Sequence, residues 1–326
     1  MEEEIGIQGM RGFAAIMVMC THIASDLPLS LISAPILIMY SGYSGVELFF
    51  LISGYILMRK FQSEDYSVKG RFNALKYYIR RIFRIWPLYF IAIPIFALAF
   101  STNVAWQQYF FIQNFFPQTF SMTPLWTLVI EELFYLVLPL WVIAFRKNWL
   151  ASFIGMVGFS IGYMAFIAYG LHITVMSRYL FAQFPMFAIS YALGTIIALG
   201  KTVKVNSLLI VILWLNFSLI LAFSEVSWFA PVIFSLIYFL VLANLRNSKF
   251  FTNRVSHFLG SLTYPIYILS VPVEIAAVAV SGQPNFFVWI PLTVLGTIAL
   301  SYVAHRYFEK PFIGFGRAME RTFGIA

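Results

Sequence analysis

Ten apolar runs of membrane length, joined by short polar connections, constrain this chain more than any other feature of its sequence. They cover roughly 10–28, 42–59, 78–100, 125–145, 149–170, 178–199, 206–224, 228–245, 262–281 and 285–305. Hydrocarbon offers no partner to backbone N–H and C=O groups, so such runs cross a bilayer as helices that satisfy their own backbone. Only 10% of the 326 residues are charged, against roughly 25% in a soluble domain. The expected fold is an all-α polytopic membrane protein of about ten transmembrane helices, one transmembrane domain over 1–326. No internal repeat is visible, and the connections leave no room for a soluble domain beyond the loop 59–84. The opening Met-Glu-Glu-Glu lacks the basic region of a secretory signal, so the first run is expected to be retained.

The basic residues fix an expected orientation. Arg59, Lys60, Lys69, Arg71, Lys76, Arg80, Arg81 and Arg84 crowd the connection after the second run. Later cations fall in every second connection: Arg146 and Lys147, then Lys201 and Lys204, then Arg246, Lys249 and Arg254. The alternate connections hold no Lys or Arg except Arg178. The positive-inside rule then places both termini in the cytoplasm. The net charge of +8 is thus explained by topology and contact with membrane lipids, and no nucleic-acid partner is expected. Cys20 is the single cysteine, which excludes an intramolecular disulfide, and no metal site is expected.

Ionisable residues inside the runs are the candidates for function. Arg11 and His22 are eleven residues apart, about 1100° at 100° per residue, so they share a helix face with ~16 Å of rise between them. His22 can take a proton from a hydroxyl, as acyl transfer to an alcohol requires, or can serve as a structural hydrogen-bonding group. Asp26, one turn on, either orients the ring or marks the water interface. Glu47 opens the second run, and Glu131 and Glu132 lie about two turns into the fourth. Adjacent helix positions point about 100° apart, so one of that pair at most faces a given partner. With the expected topology, His22, Glu47 and the glutamate pair lie at similar depth. Catalysis, interhelical hydrogen bonding and a proton relay in a transporter or glycan flippase are all compatible with this set. Arg81 and Arg84, three apart, form a clamp for a phosphorylated ligand or simply set topology. Tyr264 and Tyr267 share a face of the ninth run, and Tyr307-Phe-Glu-Lys-Pro311 reads as a helix stop.

Six blocks, in order, resemble the acyltransferase 3 family of integral-membrane acyltransferases. They are Arg11 with His22 in Gln8-Gly-Met-Arg-Gly-Phe-Ala-Ala15, Gly45-Val-Glu-Leu-Phe-Phe-Leu-Ile-Ser-Gly-Tyr55, and Arg81-Ile-Phe-Arg-Ile-Trp-Pro-Leu-Tyr89. Trp126-Thr-Leu-Val-Ile-Glu-Glu-Leu-Phe-Tyr135, Gly260-Ser-Leu-Thr-Tyr-Pro-Ile-Tyr267 and Glu309-Lys-Pro311 complete the set. Ser270 stands where many relatives carry histidine, and Leu133 where a variant carries glutamine. The resemblance implies an O-acyltransferase of the bacterial cytoplasmic (inner) membrane. Its donor would be acetyl-CoA or another acyl-CoA, without a metal. Its acceptor would be a carbohydrate hydroxyl of an exopolysaccharide, a lipopolysaccharide or a lipid-linked oligosaccharide. It implies His22 as general base, with Glu131 or Glu132 and Tyr135 positioning it or the acceptor. Arg11, Arg81 and Arg84 would contact the donor, Glu47 would lie toward the acceptor, and Tyr267 would line the site.

Overall fold

A computed structural model describes residues 2–27, 33–63, 67–68, 71–116, 124–166, 169, 184–223, 230–282 and 285–325. In chain order its helices are α1 (Glu2–Ser25), α2 (Ala34–Tyr40), α3 (Gly45–Gln62), α4 (Ala74–Ala99), α5 (Trp106–Tyr109), α6 (Trp126–Lys147) and α7 (Trp149–Ala165). There follow α8 (Phe184–Ala198), α9 (Ser207–Phe223), α10 (Ala230–Leu245), α11 (Lys249–Thr252), α12 (Arg254–Ser261), α13 (Thr263–Ser281), α14 (Phe286–Ala304) and α15 (Lys310–Thr322). A two-residue hairpin, Ser67–Val68 against Arg71–Phe72, precedes α4, whose first turn is capped by the Asn73 side chain accepting from the Lys76 N–H at 2.8 Å. Each apolar run contains helix. Among the described residues, five helical stretches are long and apolar enough to cross a membrane: 35–62, 74–99, 126–147, 263–281 and 286–322. The apolar helices over 149–163, 187–198, 207–220 and 230–245 are shorter. The chain is an integral membrane protein of helical class. His172 and Arg178 lie outside the described residues.

Small residues let the helix backbones touch. A Cβ on Gly54 of α3 would stand 2.1 Å from the Tyr191 carbonyl oxygen, and one on Gly194 of α8 1.8 Å from that of Leu51. The two helices therefore interlock glycine to carbonyl, a contact that any side chain would abolish. Around it, Phe134 of α6 stacks on Tyr191 with centroids 4.2 Å apart, and Trp141 Nε1 donates to Thr195 Oγ1 at 3.1 Å. The same device seats α1, where a Cβ on Gly9 would lie 2.0 Å from the Phe251 carbonyl oxygen.

The chain does not stop at Pro311, as the sequence had suggested. Residues His305–Glu309 form a π-turn, and α15 starts at Lys310 with Pro311 in its first turn. The π-turn shifts the hydrogen-bond register there, Lys310 N–H donating to the His305 carbonyl, and the helical backbone runs on past Pro311. The tail then returns to α4: Arg80 holds Glu320 in a two-pronged pair, Nε to Oε1 at 2.8 Å and Nη2 to Oε2 at 2.9 Å.

Gly54→Val is expected to overpack the α3–α8 crossing, at a cost of about 1–3 kcal/mol or more. Loss of the folded peak on size-exclusion in detergent, or a lowered thermal midpoint, would register it. Gly155→Ala in α7, where a Cβ meets nothing within 4 Å, should behave as wild type in the same assay.

Candidate active site

The N-terminal parts of α1, α4, α6 and α13 and the length of α3 enclose one cavity. α1 contributes Arg11, α3 Ser53 and Lys60, and α4 Arg81 and Arg84. Glu131 and Tyr135 come from α6, and Tyr264 and Tyr267 from α13. The enclosed space, about 90 Å³, opens past Arg11, Lys60 and Arg84 into a vestibule of about 740 Å³ lined also by Gln8, Tyr55 and Arg59. A side groove of about 350 Å³ between α4 and α15 also shares Lys60 and Arg84. Arg84 thus stands where all three spaces meet.

Helix spacing explains the wall. Arg81 and Arg84 are three apart, and Glu131 and Tyr135 four apart, so each pair shares a helix face. Tyr135 donates a short hydrogen bond to the Glu131 carboxylate, and the Arg81 guanidinium lies 5.2 Å from the Tyr135 ring centroid. Tyr77 of α4 donates to the Tyr135 carbonyl at 3.0 Å, fixing α6 against α4. Tyr264 donates to the Ile85 carbonyl at 2.7 Å, tying α13 to α4. At the far end, the hydroxyls of Tyr267 and Thr127 share a hydrogen bond of 2.6 Å and both reach the Pro124 carbonyl.

The lining carries four cations, Arg11, Lys60, Arg81 and Arg84, against one carboxylate, Glu131. Among the described residues, Arg11 and Arg84 make neither an ion pair nor a side-chain hydrogen bond, and each lies within electrostatic reach of the other. Guanidinium groups present planar sets of donors matched to phosphate and carboxylate oxygens. Such a wall suits an anion with several oxygens.

The other candidates lie elsewhere. Glu132 turns away from the cavity toward Trp86 and Tyr89 of α4, with Oε1 buried and unpartnered. Glu47 is fully buried beside Tyr43 and Tyr238, where Ser44 and Tyr238 share a 2.6 Å hydrogen bond. His22 is on the last turn of α1 and Asp26 directly follows its end, and the His22 imidazole makes no hydrogen bond among the described residues.

The expected coincidence of depth fails for Glu131, which is level with Arg11 rather than His22. The segment before α6 is the cause. It folds back beside α4: Tyr89 donates to the Gln108 carbonyl at 2.8 Å, Gln113 donates to Tyr89 at 3.3 Å, and Asn114 donates to the Trp126 carbonyl at 3.0 Å. Tyr89 lies ten residues, about 15 Å, short of the end of α4, so α6 begins deep in the bundle. Irregular backbone at such depth is tolerated because protein surrounds it.

Of two further buried carboxylates, Glu309 entered the sequence reading only as part of the Glu309-Lys-Pro311 block, with no site role, and Glu274 was missed. Glu309 meets His305 Nδ1 at 2.7 Å and lies within electrostatic reach of Arg11. Glu274 is 3% exposed in the middle of α13, with Oε1 unpartnered. A lone acid in Val-Pro-Val-Glu274-Ile-Ala-Ala was the available signal.

Comparison with known proteins agrees with the motif blocks. The acyltransferase domain of the acyltransferase 3 family matches residues 4–306, and the chain belongs to that family. It is 24% identical to the O-acetyltransferase OatA of Staphylococcus aureus strain NCTC 8325, over 94% of this chain and 56% of that protein. It is 25% identical to a Staphylococcus aureus strain COL protein whose O-acetyltransferase designation is itself provisional, over 94% of this chain and 57% of that one. The chain therefore spans a little over half the length of these curated relatives. No solved structure matches it.

The charge imbalance of the cavity yields a prediction. Sulfate or a nucleoside bisphosphate should raise the thermal midpoint of the purified protein, and Glu131→Gln should enlarge that rise by removing the cavity's carboxylate. Differential scanning fluorimetry with and without the anion measures both.

Proposed function

We propose that this acyltransferase 3 family member transfers an acyl group, acetyl in the first instance, from cytoplasmic acyl-CoA to a carbohydrate hydroxyl at the opposite membrane face. The observation that carries the reading is the pair of unpaired guanidiniums, Arg11 and Arg84, at the junction of vestibule and inner cavity. The alternation of Lys and Arg along the chain supports placing this basic end, and both termini, in the cytoplasm. A bacterial inner membrane is the setting in which a cytoplasmic thioester and an external glycan lie on opposite faces.

In this scheme Arg11 and Arg84 take the donor's phosphates, with Arg81 adding charge from behind Tyr135. The Glu131–Tyr135 hydrogen bond holds that ring under Arg81 and keeps the wall rigid. It is a donor-side role, distinct from the positioning of His22 that the motif resemblance implied. The remaining arm of the donor extends through the narrow inner space toward Thr127 and Tyr267. His22 lies ~16 Å along α1 from Arg11 by helix rise, a reach suited to an extended pantetheine-type arm. His22 takes the proton of the acceptor hydroxyl as its oxygen attacks the thioester carbonyl carbon. The new C–O ester bond forms, the C–S bond breaks, and the thiolate leaves and collects a proton. The O-acetyltransferase names of the relatives support an acetyl donor and an oxygen acceptor. Exopolysaccharide, lipopolysaccharide and lipid-linked oligosaccharide are the acceptor classes this places within reach.

Arg84→Ala is expected to raise the KM for acetyl-CoA roughly 10- to 100-fold, the loss of one charge-assisted hydrogen bond at about 1.5–3 kcal/mol. Radiolabelled acetyl transfer in isolated membranes measures it. His22→Ala should abolish transfer while CoA binding persists, and transfer at the wild-type rate would remove His22 from the mechanism.

A further inference from the structure

Beyond the inner cavity, the face of α13 that carries Tyr267 continues through Ser270 to Glu274, at steps of three and four residues. Ser270 and Glu274 are 1% and 3% exposed, and neither Ser270 Oγ nor Glu274 Oε1 has a hydrogen-bond partner among the described residues. α1 runs alongside in the same direction. Ala15 packs with Leu262 and Ile266, and further on Met19 and Ile23 share one buried cluster with Ala277 and with Trp289 of α14, flanked by Leu27 and Val278. Glu274, a turn before Ala277 and Val278, is therefore level with the end of α1, where His22 and Asp26 lie. Asp26 lies within electrostatic reach of it.

A buried polar group kept for packing is ordinarily satisfied, because leaving it unpaired costs about 1–3 kcal/mol. Here, among the described residues, the His22 imidazole, the Ser270 hydroxyl and, one turn further along α13, a Glu274 carboxylate oxygen all lack hydrogen-bond partners. Among the described residues, Asp26 is the charged group within electrostatic reach of Glu274, and no guanidinium or ammonium group acts on either carboxylate. Carboxylates accept hydrogen bonds from hydroxyls and repel phosphates, the reverse of the four-cation cavity below. The two ends of the α1–α13 seam thus prefer ligands of opposite character.

We propose that Glu274, with Asp26 and Ser270, binds an uncharged, hydroxyl-rich part of the acceptor beside His22. This rests on the acyl-transfer reading above and narrows its acceptor to a neutral polyol face, such as a sugar ring whose hydroxyls donate to the two carboxylates. Glu274 is then an acceptor-binding residue with no part in donor recognition.

The test uses the full chain in detergent or proteoliposomes, with radiolabelled acetyl-CoA as donor. The acceptor is de-O-acetylated oligosaccharide released from the surface glycan of the same cells. Glu274→Gln should raise the acceptor KM about tenfold or more and leave the acetyl-CoA KM unchanged. An unchanged acceptor KM, or an equal rise in both constants, would overturn the assignment. Where Glu274→Gln fails to give a folded peak on size-exclusion, Asp26→Asn at the half-buried helix end decides. The same selective rise is expected, and its absence overturns the proposal. A wild-type protein that neither binds nor cleaves acetyl-CoA overturns the acyl-transfer reading itself. A wild type that turns over beside an unaffected Glu274→Gln overturns only the acceptor site.

Discussion

Positive charge held inside a helical bundle without matching negative charge is the condition from which the rest of this structure follows. An unpaired guanidinium in a low-dielectric interior is costly, and an opposite charge or access to water must offset the cost. Among the described residues Arg11 and Arg84 make no ion pair, Glu131 being the one carboxylate in the cavity lining and Glu309 standing within electrostatic reach of Arg11. The wide vestibule supplies water at Arg11, Lys60 and Arg84, and an anionic donor would complete the balance. Recognition and stability are in this sense one problem. The site is prepared for a multiply charged ligand because its own charges are incompletely compensated.

The scaffold that holds these charges in place combines close backbone contact at glycines with aromatic and aliphatic side chains packed between the helices. Gly54 and Gly194 lock α3 to α8, and Gly9 seats α1 on the α11 segment. Lipid gives helices no hydrophobic reason to associate, so packing of small residues and interhelical hydrogen bonds must do so. The tyrosines extend this logic. Tyr77 and Tyr264 each donate to a backbone carbonyl of a neighbouring helix, and Tyr267 meets Thr127 across the end of the cavity. A bundle fixed in this way can hold Arg11 and Arg84 near each other despite their repulsion.

Much of this was legible in the sequence, for reasons that are local. The apolar runs predicted helices because composition and length suffice in hydrocarbon. Spacing alone put Arg81 with Arg84, and the 100° step between neighbours foretold that Glu131 and Glu132 would part company. Depth was less legible. Counting residues from Trp126 assumes that α6 starts at the membrane boundary, and residues 106–116, folded back beside α4, break that assumption through contacts such as Asn114 to the Trp126 carbonyl. Likewise the π-turn at 305–309 lets a helix continue through a proline that reads as a stop. Glu274 was visible as a lone acid among Val and Ala, but its meaning depends on which helix lies beside it. That is tertiary information, supplied by the buried cluster that Met19 and Ile23 share with Ala277.

The central claim, that Arg11 and Arg84 form an anion seat for the acyl donor, is tested most directly by a cryo-electron microscopy structure of the protein in lipid nanodiscs with CoA bound. The account predicts phosphate density within hydrogen-bonding distance of both guanidiniums, with the thiol arm directed along α1 toward Thr127 and Tyr267. CoA density at another surface, with the vestibule between Arg11 and Arg84 holding none, would contradict it.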